Sequence, residues 1–143
     1  MPKSLVILLI CLTFTLLSGC SHSTADSENE KDTVLIKVIN NSDMEFHAME
    51  LQFYQDGELI ASQGSTYADG SSISREENLE FHFNEEDFPS EGDTVMELIT
   101  ADEENKNRTI GNEVTVNWKE SKEHTYEIQG NSFTTLSLLE KKD

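Results

Sequence analysis

From residue 33 to residue 138 the apolar residues recur at every second position in short runs, and that period most constrains what the chain can fold into. Side chains on a strand alternate between two faces, so such runs bury one face and wet the other. Val34, Ile36 and Val38 share one face of a first strand, with Leu35 and Ile39 on the other, which predicts a strand covered on both sides. Met49, Leu51 and Phe53 alternate in a second strand, while Phe46 and Ala48 are out of phase with them. A one-residue slip flips the buried face, so a bulge is expected over 47–49. Asp56-Gly57 follows directly and signals a tight hairpin, with Leu59 and Ala61 on the returning strand.

The rest of the chain continues in the same style. Residues 64–77 are polar, with two glycines and several serines, and read as a long loop. Leu79, Phe81 and Phe83 alternate against Glu80 and His82. Residues 84–93 hold Pro89 and Gly92 and read as a turn. In 94–101 the buried face is ambiguous, since Met96 and Leu98 compete with Val95 and Ile99. Val114, Val116 and Trp118, then Tyr126 and Ile128, then Leu136 and Leu138 supply the last strands. Close turn spacing without an amphipathic helix suits an antiparallel sandwich or barrel, and the lack of crossover helices excludes a parallel α/β sheet.

The first 32 residues follow a different rule. Lys3 supplies a positive charge, 5–17 is apolar apart from Cys11, Thr13 and Thr15, and small residues follow. That order is the order of an export signal. A membrane-spanning helix needs about 20 apolar residues, and this run is shorter. The run ends in Leu17-Ser18-Gly19-Cys20, which resembles the lipobox of bacterial lipoproteins. The resemblance implies diacylglyceration of the Cys20 thiol, cleavage before it, and attachment to the extracytoplasmic side of a cell membrane. Two acyl chains anchor stably where one binds marginally.

The domain organisation expected on this basis is a signal peptide over 1–19, a lipidated tether over 20–32 and a folded domain over 33–140. Residues 21–32 have no large apolar side chain and several acids, so they read as a flexible coil of roughly 20 Å. Cys11 leaves with the signal and Cys20 is modified, so the domain folds without disulfides and without thiolate metal sites.

The stretch 38–116 resembles the CARDB-type adhesion-related β-sandwich domains of bacteria and archaea, which are immunoglobulin-like. Val38-Ile39-Asn40-Asn41-Ser42-Asp43 looks like their strand-ending turn, and Leu51-Gln52-Phe53-Tyr54-Gln55-Asp56-Gly57 looks like their aromatic strand and hairpin. Asp93-Thr94-Val95-Met96-Glu97-Leu98-Ile99 and Asn112-Glu113-Val114-Thr115-Val116 look like their last two strands. The expected fold is therefore an antiparallel immunoglobulin-like sandwich of about seven or eight strands, with a small lipocalin-like barrel as the alternative. The resemblance implies binding or adhesion and supplies no catalytic residue.

Composition narrows the partners. The chain carries 10 basic and 28 acidic residues, a net charge of −18. Such a surface repels phosphate backbones and anionic headgroups, so nucleic acid is not an expected partner and the lipid must do the anchoring. The acid-rich tether suits a Gram-positive surface lipoprotein. No Gly-x-Ser-x-Gly elbow, phosphate loop or dinucleotide fingerprint occurs, and no cofactor or enzymatic activity is expected. His22, His47, His82 and His124 read as exposed histidines rather than ligands. Of the acidic clusters Glu76-Glu77, Glu85-Glu86-Asp87 and Asp102-Glu103-Glu104, the loop of Asp102, Glu103 and Glu104 is the candidate for offering several oxygens to calcium. Tyr54 points opposite to Phe53 and Tyr67 sits in the polar loop, which makes them the candidate contacts for a protein partner. The leading expectation is a non-catalytic binding or accessory module at the envelope. A barrel for a small apolar ligand and a calcium-stabilised surface domain are the alternatives.

Overall fold

The computed structural model describes residues 33–88 and 93–141, and the lipobox and tether lie outside them. Nine strands build two facing sheets: β1 (Thr33–Asn40), β2 (Ala48–Gln55), β3 (Glu58–Ser65), β4 (Asn78–Asn84), β5 (Thr94–Ala101), β6 (Asn107–Thr109), β7 (Val114–Val116), β8 (Glu123–Gln129) and β9 (Ser137–Glu140). Sheet 1 has the order β4-β1-β8-β9. Sheet 2 has the order β3-β2-β5, with β6 and β7 both bordering β5. The strands are antiparallel except for β1 and β8, which run parallel at the centre of sheet 1.

The fold is a β-sandwich, and the alternative of a closed barrel is corrected. The two sheets do not pair with each other, and the side chains that would line a barrel cavity fill the space between them. Phe81, Phe83 and Trp118 are all buried. Phe53 makes edge-to-face contacts with Phe83, Phe88 and Trp118 at 5.0–5.2 Å, and Phe88 stacks on Trp118 at 3.8 Å. Rings packed edge-to-face leave no lumen.

The alternation read from the sequence sets most of the core. Val34, Ile36 and Val38 face inward, as do Met49, Leu51 and Phe53, and Leu79, Phe81 and Phe83. Leu35 and Ile39 are only half-buried, so β1 is not fully covered on its outer side. In β5 the ambiguity resolves in favour of Met96 and Leu98. The phase change before Met49 arises because Phe46 leaves the ladder to bridge Ile73, so two strand segments meet at 47 instead of one strand carrying a bulge. Asp56 and Gly57 both take positive φ (53° and 81°), the requirement of the tight hairpin their sequence signals. The β2–β3 ladder shifts at Phe53/Tyr54, leaving Ile60 as the extra residue on β3. The polar stretch assigned to a loop from residue 64 is strand as far as Ser65, because an edge strand needs apolar residues on one face at most.

Two asparagines carry much of the polar stitching. Asn40 is fully buried at the end of β1, where its Nδ2 donates to Met44 O (2.7 Å) and Ile73 O (2.9 Å). Its Oδ1 accepts from the Ser42 N–H and hydroxyl. Asn112 lies between β6 and β7, where two residues of β5 face four of its neighbour: Ile99 pairs Thr109 while Met96 pairs Val114. From that insertion its Nδ2 donates to Leu138 O (2.8 Å) and its Oδ1 accepts from Leu138 N–H (2.7 Å). The amide thus acts as a one-residue strand for β9 and ties sheet 2 to sheet 1.

Candidate functional sites

The residues singled out in the sequence do not converge on one place. The lipobox, with Cys20, lies outside the described residues. Tyr54 stands on the outer face of sheet 2, as its phase against Phe53 requires. Its hydroxyl donates to Gln52 Oε1 (2.6 Å), and Gln52 Nε2 donates to Glu50 Oε1 (2.8 Å). Residual burial, with Glu97 and then Glu50 nearby, raises the Tyr54 phenol above its ordinary pKa. Tyr67 is half-buried and packs on the core, so it is less free than a loop tyrosine suggests. Burial, then Glu77 and Asp69, raise its pKa in turn.

The acidic loop at Asp102 is committed to its own turn. Asp102 Oδ1 accepts from the backbone N–H of Glu104 (3.0 Å) and Lys106 (2.9 Å). Its Oδ2 lies 3.5 Å from Arg108 Nε, and Glu104 pairs with Lys106. The Lys106 N–H leads the set of donors that holds the Asp102 carboxyl below its usual range. Among the described residues no group of three or more His, Cys, Asp or Glu is arranged to hold a metal ion.

The reading of His124 as exposed is corrected. It is buried on the inner face of β8, in phase with Tyr126 and Ile128. Its ring lies nearly parallel to Tyr126 (6.4 Å, 17°) and meets Trp118 edge-on (5.8 Å, 80°). Nε2 is 3.1 Å from Ser121 O, and since a carbonyl only accepts, Nε2 is the donor. Nδ1 then faces Glu140 Oε1 at 3.7 Å. Tyr126 is fully buried, its hydroxyl has no partner among the described residues, and burial, aided by Glu140, pushes its phenol far up.

This end of the sandwich opens into a cleft of about 470 Å³ bordered by Asn117, Ser121, His124, Glu140 and Lys141. A His–Glu pair beside a serine invites comparison with a hydrolytic triad, but the geometry differs. Ser121 Oγ donates to Glu123 O (2.7 Å), and only its carbonyl meets the histidine. Among the described residues no nucleophile is poised on the imidazole.

A second, open groove of about 500 Å³ runs along the outer face of sheet 2, bordered by Ala48, Glu50, Gly64, Ile99 and Ala101. Its small residues come from neighbouring strands: Gly64 lies across from Glu50, and Ala48 across from Ala101. Sequence reasoning missed it because small residues at an edge carry no hydropathy signal.

No protein-family model and no curated protein matches the chain. Among solved structures, the human-specific toxin intermedilysin aligns over 78% of this chain and 23% of its own, with a TM-score of 0.39 and 8% identity. Pneumolysin aligns over 78% and 24%, with a TM-score of 0.39 and 11% identity. The cytotoxin suilysin from Streptococcus suis aligns over 78% and 23%, with a TM-score of 0.39 and 6% identity. The chain spans about a quarter of the length of these toxins, and likeness at this level carries no function across.

Proposed function

We infer that the protein is a lipid-anchored, extracytoplasmic, non-catalytic binding or accessory module of the cell envelope, recognising another protein. The observation that carries this reading is Leu17-Ser18-Gly19-Cys20 at the end of a short apolar run that follows Lys3. The remaining sequence supports it. Apart from Cys11, which lies upstream within the run, no other cysteine is present to give Cys20 a disulfide role. Twelve residues with no large apolar side chain separate Cys20 from the first strand, the composition of a tether. The likeness of 38–116 to adhesion-related sandwich domains favours binding over chemistry.

The test is direct. Labelled palmitate should enter the wild-type chain and not C20S, and globomycin, which blocks the lipoprotein signal peptidase, should leave the precursor uncleaved. Normal maturation under globomycin overturns the lipoprotein reading.

A further inference from the structure

We propose that the free edge of β3 and the groove beside it take an extended, basic segment of a partner protein, added to sheet 2 as one more strand. The proposal rests on the binding-module reading above and names the chemistry of its partner.

Four sheet edges exist, and three are guarded. β4 presents Glu80 and His82 and runs into the acidic 3₁₀ turn Glu85–Asp87. β9 is four residues long and has Asn112 bonded to Leu138. The β6/β7 edge is broken by its two-residue insertion. Charge, shortness and bulges are the usual defences of an edge. β3 has little of this. Among the described residues it pairs with β2 alone, and 59–65 carries no charge and no proline. From Ala61 to Ser65 its register is unbroken. The bulge at Ile60 guards only the hairpin end of β3, and the unbroken stretch beyond it is a template for strand addition.

The neighbouring face selects the occupant. Glu50 is held by Gln52, which is held by Tyr54, and Glu97 lies across from Gln52. Among the described residues neither Glu50 nor Glu97 forms an ion pair, although most of the lysines and arginines do so elsewhere. A strand added outside β3 would run about 10 Å from β2. Gly64 stands between them, directly across from Glu50, so a lysine or arginine from the added strand could cross the glycine and reach the carboxylate. Leu59, the most exposed large apolar residue among those described, lies beside Tyr54 and offers an apolar contact further along. A second copy of this chain fits poorly, since it would bring the same acids to the seam under a net charge of −18.

The test uses the processed full chain in a neutral detergent. The probe is a peptide of about ten residues alternating lysine with valine and threonine, long enough to pair along β3. Controls are its glutamate counterpart and a peptide of the same composition with the lysines in one block. The alternating peptide should bind, with amide shifts confined to β3 and its β2 neighbours. Gly64→Lys should weaken binding about tenfold by filling the groove and neutralising Glu50. A Cβ at Gly64 meets nothing nearer than Met49 O at 3.9 Å, so this variant should melt no lower than the wild type. Glu50→Gln should weaken binding about threefold. Equal binding of the blocked-lysine peptide, shifts clustered away from β3, wild-type affinity in Gly64→Lys, or a dimer through β3 would each overturn the proposal. Palmitate labelling of Cys20 is scored separately, so either reading can fall while the other stands.

Discussion

The two long seams of the sandwich, where the edges of the two sheets lie over each other, are built on opposite plans. At one seam β9 faces the β6/β7 edge, and the two are sewn together by Asn112 on Leu138. Arg108 adds a cation over the Phe133 ring at 4.6 Å, and Phe133 meets Phe46 edge-on. At the other seam β3 and β4 come close without any backbone bond described between them. The sewn seam spends its polar groups on stability. The open seam leaves a strand edge unpaired, which gains the fold nothing and is the kind of feature that partners use.

That contrast can be broken, starting from the sewn side. Gly130 leads from β8 into the turn before β9 at φ 134°, and a Cβ there would lie 2.7 Å from Thr135 O. Gly130→Ala should cost about 3 kcal/mol, read from the urea midpoint, and β9 amides should lose protection first. Asn112→Ala leaves both backbone groups of Leu138 without their partner. It should cost about 2 kcal/mol and speed hydrogen exchange at Leu138. Asn112→Asp, which keeps an acceptor and loses the donor, should fall between.

Smaller effects sharpen the comparison. The buried, unpartnered Tyr126 hydroxyl makes Tyr126→Phe neutral or stabilising by about 1 kcal/mol in thermal melts. The sign of its pH dependence is fixed. Because folding raises the phenol, the native state keeps a proton that the unfolded chain gives up above about pH 10, so stability falls above that pH in the wild type. Tyr126→Phe should flatten this alkaline limb. On the outer face of sheet 1, beside the sewn seam's β9, Glu127 has a lowered pKa, chiefly through the hydrogen bond from Lys141. Its contribution is present above its unfolded pKa and lost as the pH falls through the lower folded value. Glu127→Gln should remove a few tenths of a kcal/mol on that acid limb. On the open seam, Gly64→Ala meets no close neighbour and should raise stability by about 0.5 kcal/mol, through the unfolded chain alone.

Local signals were readable and long-range ones were not. The inward faces of β1, β4 and the Met49–Phe53 run follow from alternation, and the Asp56-Gly57 turn follows from dihedral preference, because each depends on neighbours within a few residues. Ile73, Phe88 and Ile110 are buried outside the alternating runs and left no pattern to find. His124 could have been placed inside from its phase with Tyr126 and Ile128, had its polarity not argued the other way. The bonds of Asn112 to β9 and the openness of β3 depend on which edges meet across the sandwich, and no single segment encodes that. For the candidate sites, Tyr54 was legible from its phase. Its link through Gln52 to Glu50 was legible only as a same-face spacing, whose meaning came from Gly64 opposite.

The parallel pairing of β1 with β8 also sets an order of events in time. β1 is the first of the described strands, yet it lies between β4 and β8, with Leu35 opposite Glu123 and Asn40 opposite Ile128. A chain threaded outward amino-end first, as the proposed export route requires, presents β1 long before its central partner exists. Such non-local closure is slow, so the domain would stay uncollapsed until almost all of it has emerged. The topology would thereby keep the nascent chain fit for a narrow passage and defer assembly to the far side, where residue 128 finally arrives.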